Sequence, residues 1–189
     1  MGKLDGKVAV ITGASRGIGR GIALSFAREG AHLLLTARTA QGLEATVAAA
    51  REFGVRAEVM PGDASQEADV ERVFAAVRDR FGRLDLLVNN AGAFDGGLLH
   101  ELDLATWNKV IGINLTGPFL CTRAALQIMR PQGVGRIINV SSVSAYRVRP
   151  TTAAYSATKA ALLGLTQVTA LEGREYGVTC GCLLPGNTA

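Results

Sequence analysis

Apolar residues along this chain follow two alternating patterns: short unbroken runs rich in Val, Ile and Leu, and longer stretches in which they recur every three or four residues. The runs cover 8–12, 32–36, 57–60, 84–89, 136–141 and 179–184. Stretches of helical period fill the intervals, at 17–28, 41–53, 67–81, 104–129 and 155–175. A short apolar run bounded by turn residues reads as a strand covered on both faces, and a 3.6-residue period reads as the helix that covers it. Gly30, Gly54 and Gly82 each stand just past a helical stretch, where a left-handed residue closes the last turn. Six strands separated by crossover helices predict an α/β fold built on a doubly wound, Rossmann-like parallel sheet. No linker, repeat or low-complexity stretch interrupts the alternation, so residues 1–189 are expected to form a single domain.

Composition changes this picture little. Hydrophobic residues make up 48% and charged residues 19%, an ordinary balance for a folded globular chain. The net charge is +4, the basic residues are scattered and only 5% of residues are aromatic, which argues against a nucleic-acid surface. No apolar run approaches the length needed to span a bilayer. The first seven residues are short and polar, so no secretory leader is expected. Cys121, Cys180 and Cys182 have neither metal-ligand spacing nor a disulfide framework, so no metal site is expected and a reduced, cytoplasmic setting fits. Cys180 and Cys182 alternate along the last strand and read as small buried hydrophobes.

The first candidate chemistry lies directly after the first strand, where Thr12-Gly13-Ala14-Ser15-Arg16-Gly17-Ile18-Gly19 leads into a helix. Glycines permit a tight turn and close backbone approach, and a helix N-terminus offers unpaired N–H groups to a pyrophosphate. The position between strand and helix is what gives a glycine cluster weight as a dinucleotide site. After the second strand, a carboxylate would hold the ribose hydroxyls of NAD, whereas an arginine accommodates the 2′-phosphate of NADP. No Asp or Glu occurs between Glu29 and Glu44, and Arg38 sits at the end of the second strand. Arg16 can supply a second guanidinium. NADP is therefore the expected cofactor, with NAD as the alternative; two solvated surface arginines would be the plainer reading.

The second candidate opens the last helical stretch, Tyr155-Ser156-Ala157-Thr158-Lys159. Residues four apart share a helix face, so the phenol and the ammonium can address one space. A free phenol ionises near pH ~10, too high for efficient proton exchange at neutrality. A cation ~4 Å away contributes roughly 4 kcal/mol at an effective dielectric of about 20. A downward shift of ~2–3 units needs only about 3–4 kcal/mol, so one lysine suffices in magnitude. Ser142 ends the fifth strand, Asn114 lies in the fourth helical stretch and Asn89-Asn90-Ala91-Gly92 closes the fourth strand. These are carboxyl strand ends, where open α/β sheets bind ligands. Pro118 follows Asn114 by four residues and has no N–H for its carbonyl, which leaves that carbonyl available to a water or kinks the helix.

In these motifs the chain resembles the short-chain dehydrogenase/reductase family, from Lys7 through Gly186. The family's T-G-x-x-x-G-x-G falls on Thr12–Gly19, its N-N-A-G on Asn89–Gly92 and its Y-x-x-x-K on Tyr155–Lys159. The resemblance implies an enzyme that moves a hydride between NADP(H) and a carbonyl or alcohol, with a catalytic tetrad of Asn114, Ser142, Tyr155 and Lys159. It puts Gly13, Ser15, Gly17, Ile18 and Gly19 on the cofactor, beside the Arg16 and Arg38 already read from the residues, together with Asp63 at the adenine. It adds Asn90, Ala91, Gly92, Tyr155, Lys159, Pro185 and Gly186. By analogy, Tyr155 exchanges the proton, Ser142 holds the substrate oxygen, and Lys159 serves the tyrosine and the nicotinamide ribose. The same analogy implies a homodimer or homotetramer formed through the last two long helical stretches, which carry Ala124, Ala125, Ala160, Ala161 and Leu162. The family continues for several dozen residues past its Pro-Gly motif, into a substrate lid and a seventh strand. This chain ends at Ala189, so the expectation is a domain without that lid, its last strand at the sheet edge. Phe94, Tyr146 and Arg147 are candidates to line the substrate pocket. The alternative reading is a catalytically silent dinucleotide-binding regulatory module, which would have no need of an intact proton relay.

Overall fold

The computed structural model describes residues 2–186. Met1 and residues 187–189, which the single-domain expectation includes, lie outside the described residues. The six apolar runs form β1 (Val8–Thr12), β2 (His32–Thr36), β3 (Ala57–Val59), β4 (Leu86–Asn89), β5 (Gly135–Val140) and β6 (Val178–Leu183). They make one sheet in the order β3-β2-β1-β4-β5-β6, with every neighbouring pair parallel. Alternate residues of one strand serve opposite faces. Val10, Leu34, Leu87 and Ile137 join Phe74, Val77, Ala125 and Met129 in the core on one side. Ala9, Ile11, Leu33, Leu35 and Val88 join Ala23, Leu43 and Val47 on the other. That double coverage is why the strands read as continuous apolar runs.

The covering helices are α1 (Gly17–Arg28), α2 (Ala40–Arg51), α3 (Glu67–Phe81), α4 (Leu104–Ile111), α5 (Gly117–Gln132) and α6 (Ala153–Gly173). Gly30, Gly54 and Gly82 have φ of 90°, 77° and 70°, the left-handed closures expected of them. The single helix expected over 104–129 is instead divided by a wide π turn, Gly112–Thr116, in which the Gly117 N–H reaches back to the Gly112 carbonyl. Pro118 cannot donate to the carbonyl of residue 114, and the chain absorbs that missing bond by widening one turn. Cys180 and Cys182 are half-buried, not buried as expected, because β6 is the edge strand among the described residues.

Strand register puts the site at one end of the sheet. Thr12 pairs with Thr36, and Asn89 with Asn139, so the carboxyl ends lie level. The order reverses between β1 and β4, which opens a crevice beyond those ends. The opposite end is anchored by Asp85, which accepts from the Val8 N–H at 2.9 Å and from two nitrogens of Arg83 at 2.8 and 2.6 Å. Burial pushes this carboxyl's pKa up, but the Arg83 bonds, the Val8 amide and the charges of Arg83 and Lys7 outweigh it and hold it below the ordinary value. A depressed carboxylate contributes stability above its unfolded pKa of ~4 and loses it as pH falls through the folded value. Asp85→Asn is expected to cost about 1–3 kcal/mol at neutral pH, because an amide NH2 cannot accept and at least one Arg83 bond is lost, while the half-exposed Arg83 can turn to water. It should also flatten the acid limb of stability. Urea unfolding at pH 7 and at low pH checks both, and equal stability of the two proteins at pH 7 would refute the anchor.

Candidate active site

The glycine loop is stitched into the end of the sheet from both sides. The Gly13 and Ala14 N–H groups donate to the Thr36 carbonyl at 2.8 and 3.3 Å, which joins the loop to β2. The Thr12 hydroxyl accepts from the Asn90 and Ala91 amides at 3.0 and 2.9 Å. The Asn90 side chain donates back to the carbonyls of Thr12 and Gly13 at 2.9 and 3.1 Å. These bonds leave no room for side chains. A Cβ on Gly13 would stand 2.8 Å from the Ala91 Cα, and one on Gly19 would collide with the Gly13 carbonyl and the Asn90 amide.

Helix α1 then begins at Gly17 with no side chain capping it and no acidic residue in its first turn. An uncapped N-terminus directed from a glycine loop is a ready site for a pyrophosphate. Ser15 packs against Gly42 at the start of α2. Ile18 lies exposed in the first turn of α1, and Arg16 and Arg38 are exposed beyond β1 and β2. Asp63 follows β3, and its Oδ1 accepts from the backbone amide and hydroxyl of Ser65 at 2.9 and 2.8 Å. The residues therefore fit a dinucleotide along the ends of β1, β2 and β3. Among the described residues, no group of three or more His, Cys, Asp or Glu could hold a metal ion.

The second half of the site lies beyond β4 and β5. Tyr155 sits in the first turn of α6, half-buried, with its ring edge-on to Phe94 at 5.0 Å between centroids. Lys159 follows one turn later and is only 4% exposed. Its Nζ donates to the Val140 carbonyl at 2.8 Å and lies 5.6 Å from the Tyr155 ring centroid. Burial pulls its pKa down to about 8, partly offset by the nearby Cys182. Ser142 follows β5 and accepts from the Ser144 amide at 3.1 Å, which leaves its hydroxyl hydrogen free to donate. Pro185 is held beside it, its carbonyl accepting from Val143 at 3.1 Å, and Gly186 follows directly.

Asn114 lies buried in the wide turn, with its amide clamped on Ala93. Oδ1 accepts from the Ala93 N–H at 2.7 Å and Nδ2 donates to the Ala93 carbonyl at 2.9 Å. Gly92 packs between Asn114 and Lys159, where an added Cβ would lie 3.6 and 3.8 Å from their side chains. The structure thus gathers Asn114, Tyr155 and Lys159 around the 90–94 loop, with Ser142 on the adjoining strand end. Phe94 reaches the tyrosine, while Tyr146 and Arg147 lie on the exposed segment after Ser142.

Three hydroxyls that organise this region escaped sequence reasoning as site residues: Thr12, Ser141 and Thr158. Ser141 donates to the Lys159 carbonyl at 2.7 Å and fixes α6 against β5. Thr12 opens the glycine motif itself, whereas the only sequence signal of Ser141 and Thr158 was adjacency to a motif residue.

The sequence profile of the short chain dehydrogenase family matches residues 7–189. A 3beta-hydroxysteroid dehydrogenase from Mediterraneibacter gnavus is 40% identical over 189 residues, which is 100% of this chain and 68% of that protein. A 3-oxoacyl-[acyl-carrier-protein] reductase from Synechocystis sp. is 39% identical over 187 residues, 98% of this chain and 76% of that one. Among solved structures, an NAD+-bound xylitol dehydrogenase superposes with a TM-score of 0.93 at 35% identity, covering 97% of this chain and 71% of that chain. A levodione reductase gives the same TM-score of 0.93 at 35% identity, covering 97% and 72%. The chain belongs to the short-chain dehydrogenase family and is a nicotinamide-dependent oxidoreductase acting on alcohol or carbonyl groups.

Proposed function

For this member of the family we propose a reaction between NADP(H) and a carbonyl or alcohol substrate in which Tyr155 is the acid/base, supported by Ser142, Lys159 and Asn114. The observation that carries the reading is the buried Lys159 ammonium. Among the described residues it has a single partner, the Val140 carbonyl, and it lies beside the Tyr155 ring. A charge is costly to bury without a paired carboxylate, and such groups cluster where chemistry uses them. When bound, the dinucleotide supplies or accepts the hydride.

The chain's own residues do the rest. Tyr155 gives its proton to the substrate oxygen in reduction and takes it back in oxidation. Ser142 donates its free hydroxyl hydrogen to the same oxygen as negative charge develops there. The Lys159 ammonium stabilises negative charge on the phenolic oxygen as the proton leaves. Asn114 has both side-chain groups committed to Ala93, so its contribution comes through the main-chain carbonyl that Pro118 leaves without its usual donor. A proton can reach Lys159 through a water held there.

Arg16 and Arg38 support NADP over NAD. Both are exposed at the ends of the two strands that flank the glycine loop, and no acidic residue lies between Glu29 and Glu44. NADPH should bind more tightly than NADH, and Arg38→Asp should narrow or reverse the preference. Losing one charge-assisted phosphate contact costs roughly 1.5–3 kcal/mol, about ten- to a hundredfold in affinity. Titration of both cofactors into both proteins tests this, and equal Kd values in the unmutated chain would refute it.

A second copy of the chain is the partner proposed for the outer face of α5 and α6. Of the five residues expected there, Ala124, Ala125 and Leu162 are buried in this chain's own core, whereas Ala160 and Ala161 stay exposed. Val168 and Leu171 extend that exposed face. The groove beside it carries Arg123 and Arg130 as well as Glu172 and Glu175, both signs on one patch, which suits a two-fold contact. Among the described residues, no helix is long and apolar enough to cross a membrane. The three free thiols fit a reducing, cytoplasmic setting.

A further inference from the structure

Thr158, the residue between the two halves of the Tyr155–Lys159 pair, is fully buried. Its hydroxyl donates to the Tyr155 carbonyl at 2.7 Å and accepts from Asn114 Nδ2 at 3.3 Å. It is thus bonded to two of the four residues proposed for the reaction and covalently joined to a third. Threonines inside helices commonly bond back to a carbonyl of the preceding turn with no further consequence. Thr169 of the same helix does this, donating to the Leu165 carbonyl at 2.7 Å. Thr158 differs because a side chain from another element closes onto it.

That element is the wide turn Gly112–Thr116, the stretch of the long helical region whose bonding departs from the α pattern. Asn114 is its buried member, and its amide has three partners: the Ala93 N–H, the Ala93 carbonyl and the Thr158 hydroxyl. The two Ala93 bonds tie the turn to the 90–94 loop, and the Thr158 bond alone ties its side chain to α6. Without that bond, the loop and the turn could shift as one unit relative to Tyr155 and Lys159.

We propose that Thr158 is a positioning residue for the reaction, its hydroxyl setting Asn114 and the wide turn in register with the phenol and the ammonium. The inference rests on the reading of Tyr155 as the acid/base. Misplacement of a group by about 1 Å costs up to ~10²-fold in rate. Loss of one of three tethers should therefore lower kcat about tenfold.

The test compares Thr158→Val, Thr158→Ser and Thr169→Val in steady-state turnover with NADPH and a carbonyl substrate. Amide hydrogen exchange at Ala93 is followed in the protein alone. Thr158→Val should lose about tenfold in kcat with the KM for NADPH unchanged, and its Ala93 amide should exchange faster. Thr158→Ser should restore both, and Thr169→Val should change neither. Because Thr158 acts through Asn114, adding Thr158→Val to Asn114→Ala should cost no further turnover, the mark of a shared interaction. Unchanged kcat in Thr158→Val, an equal loss in Thr169→Val, no rescue by serine, or additive losses in the double variant would each overturn the proposal. If Thr158→Val fails to fold, Thr158→Ala removes the same hydroxyl without setting a methyl group against the Asn114 amide. Retained turnover in Tyr155→Phe would instead remove the acid/base reading, and the Ala93 exchange rates would still judge the Thr158 clamp.

Discussion

Tyr155→Phe is expected to lower turnover by about 10²–10⁴-fold, the usual contribution of a positioned acid or base, while NADPH binding stays nearly intact. The ring remains and keeps its edge-on contact with Phe94 and its place near Lys159. What disappears is the one O–H proposed to exchange with the substrate oxygen. Steady-state kcat and a cofactor titration on the same preparation separate the two effects. A variant with most of its turnover would remove Tyr155 from the mechanism. Lys159 gives the pH signature that accompanies this result. Burial lowers its pKa from 10.5 to about 8, so its positive charge is lost as pH rises through that value. The ammonium assists only while charged, so kcat/KM, which reports the free protein, should fall above about pH 8.

Gly19→Ala is expected to reduce cofactor affinity by about a hundredfold or more. The new Cβ would collide with the Gly13 carbonyl and the Asn90 amide, both of which are fixed by their bonds to the sheet. The first turn of α1 must then move away from the loop, and its N–H groups would no longer converge on the pyrophosphate. Losing one or two charge-assisted hydrogen bonds at roughly 1.5–3 kcal/mol each accounts for that factor. Overpacking should also lower stability by about 1–3 kcal/mol. Gly21 is the control, since it lies exposed in the same helix and a Cβ there would meet nothing within 4 Å. Gly21→Ala should bind cofactor normally and be more stable by about 0.5–1 kcal/mol, because alanine loses less backbone entropy in a helix. Normal NADPH affinity in Gly19→Ala would show that the cradle tolerates displacement and is not the pyrophosphate site.

Sequence alone determined the alternation of strand and helix, the parallel sheet covered on both faces, and the helix closures at Gly30, Gly54 and Gly82. These depend on local rules: apolar period, the unbroken apolar runs of strands covered on both faces, and the steric freedom of glycine. The same rules put Thr12–Gly19 at a strand-to-helix junction and Tyr155 and Lys159 on one helix face. Pro118 marked a carbonyl without its donor, or a kink, in the fourth helical stretch, because a missing N–H is a property of the residue itself; the division of that stretch was not foreseen.

Tertiary structure decided everything that depends on which segments meet. It divided the fourth helical stretch by a π turn holding Asn114 against Ala93, and it buried Lys159 under the Val140 carbonyl. It brought Thr12 beneath Asn90 and Thr158 beside Asn114, pairs 78 and 44 residues apart in sequence. It also sorted Ala160 from Leu162, exposed and buried neighbours with no periodic signal between them, since α6 is apolar over much of its circumference. A hydroxyl has the same local character at any point along a chain. Its partner, and therefore its role, exists only after strand order has brought distant segments to the same end of the sheet.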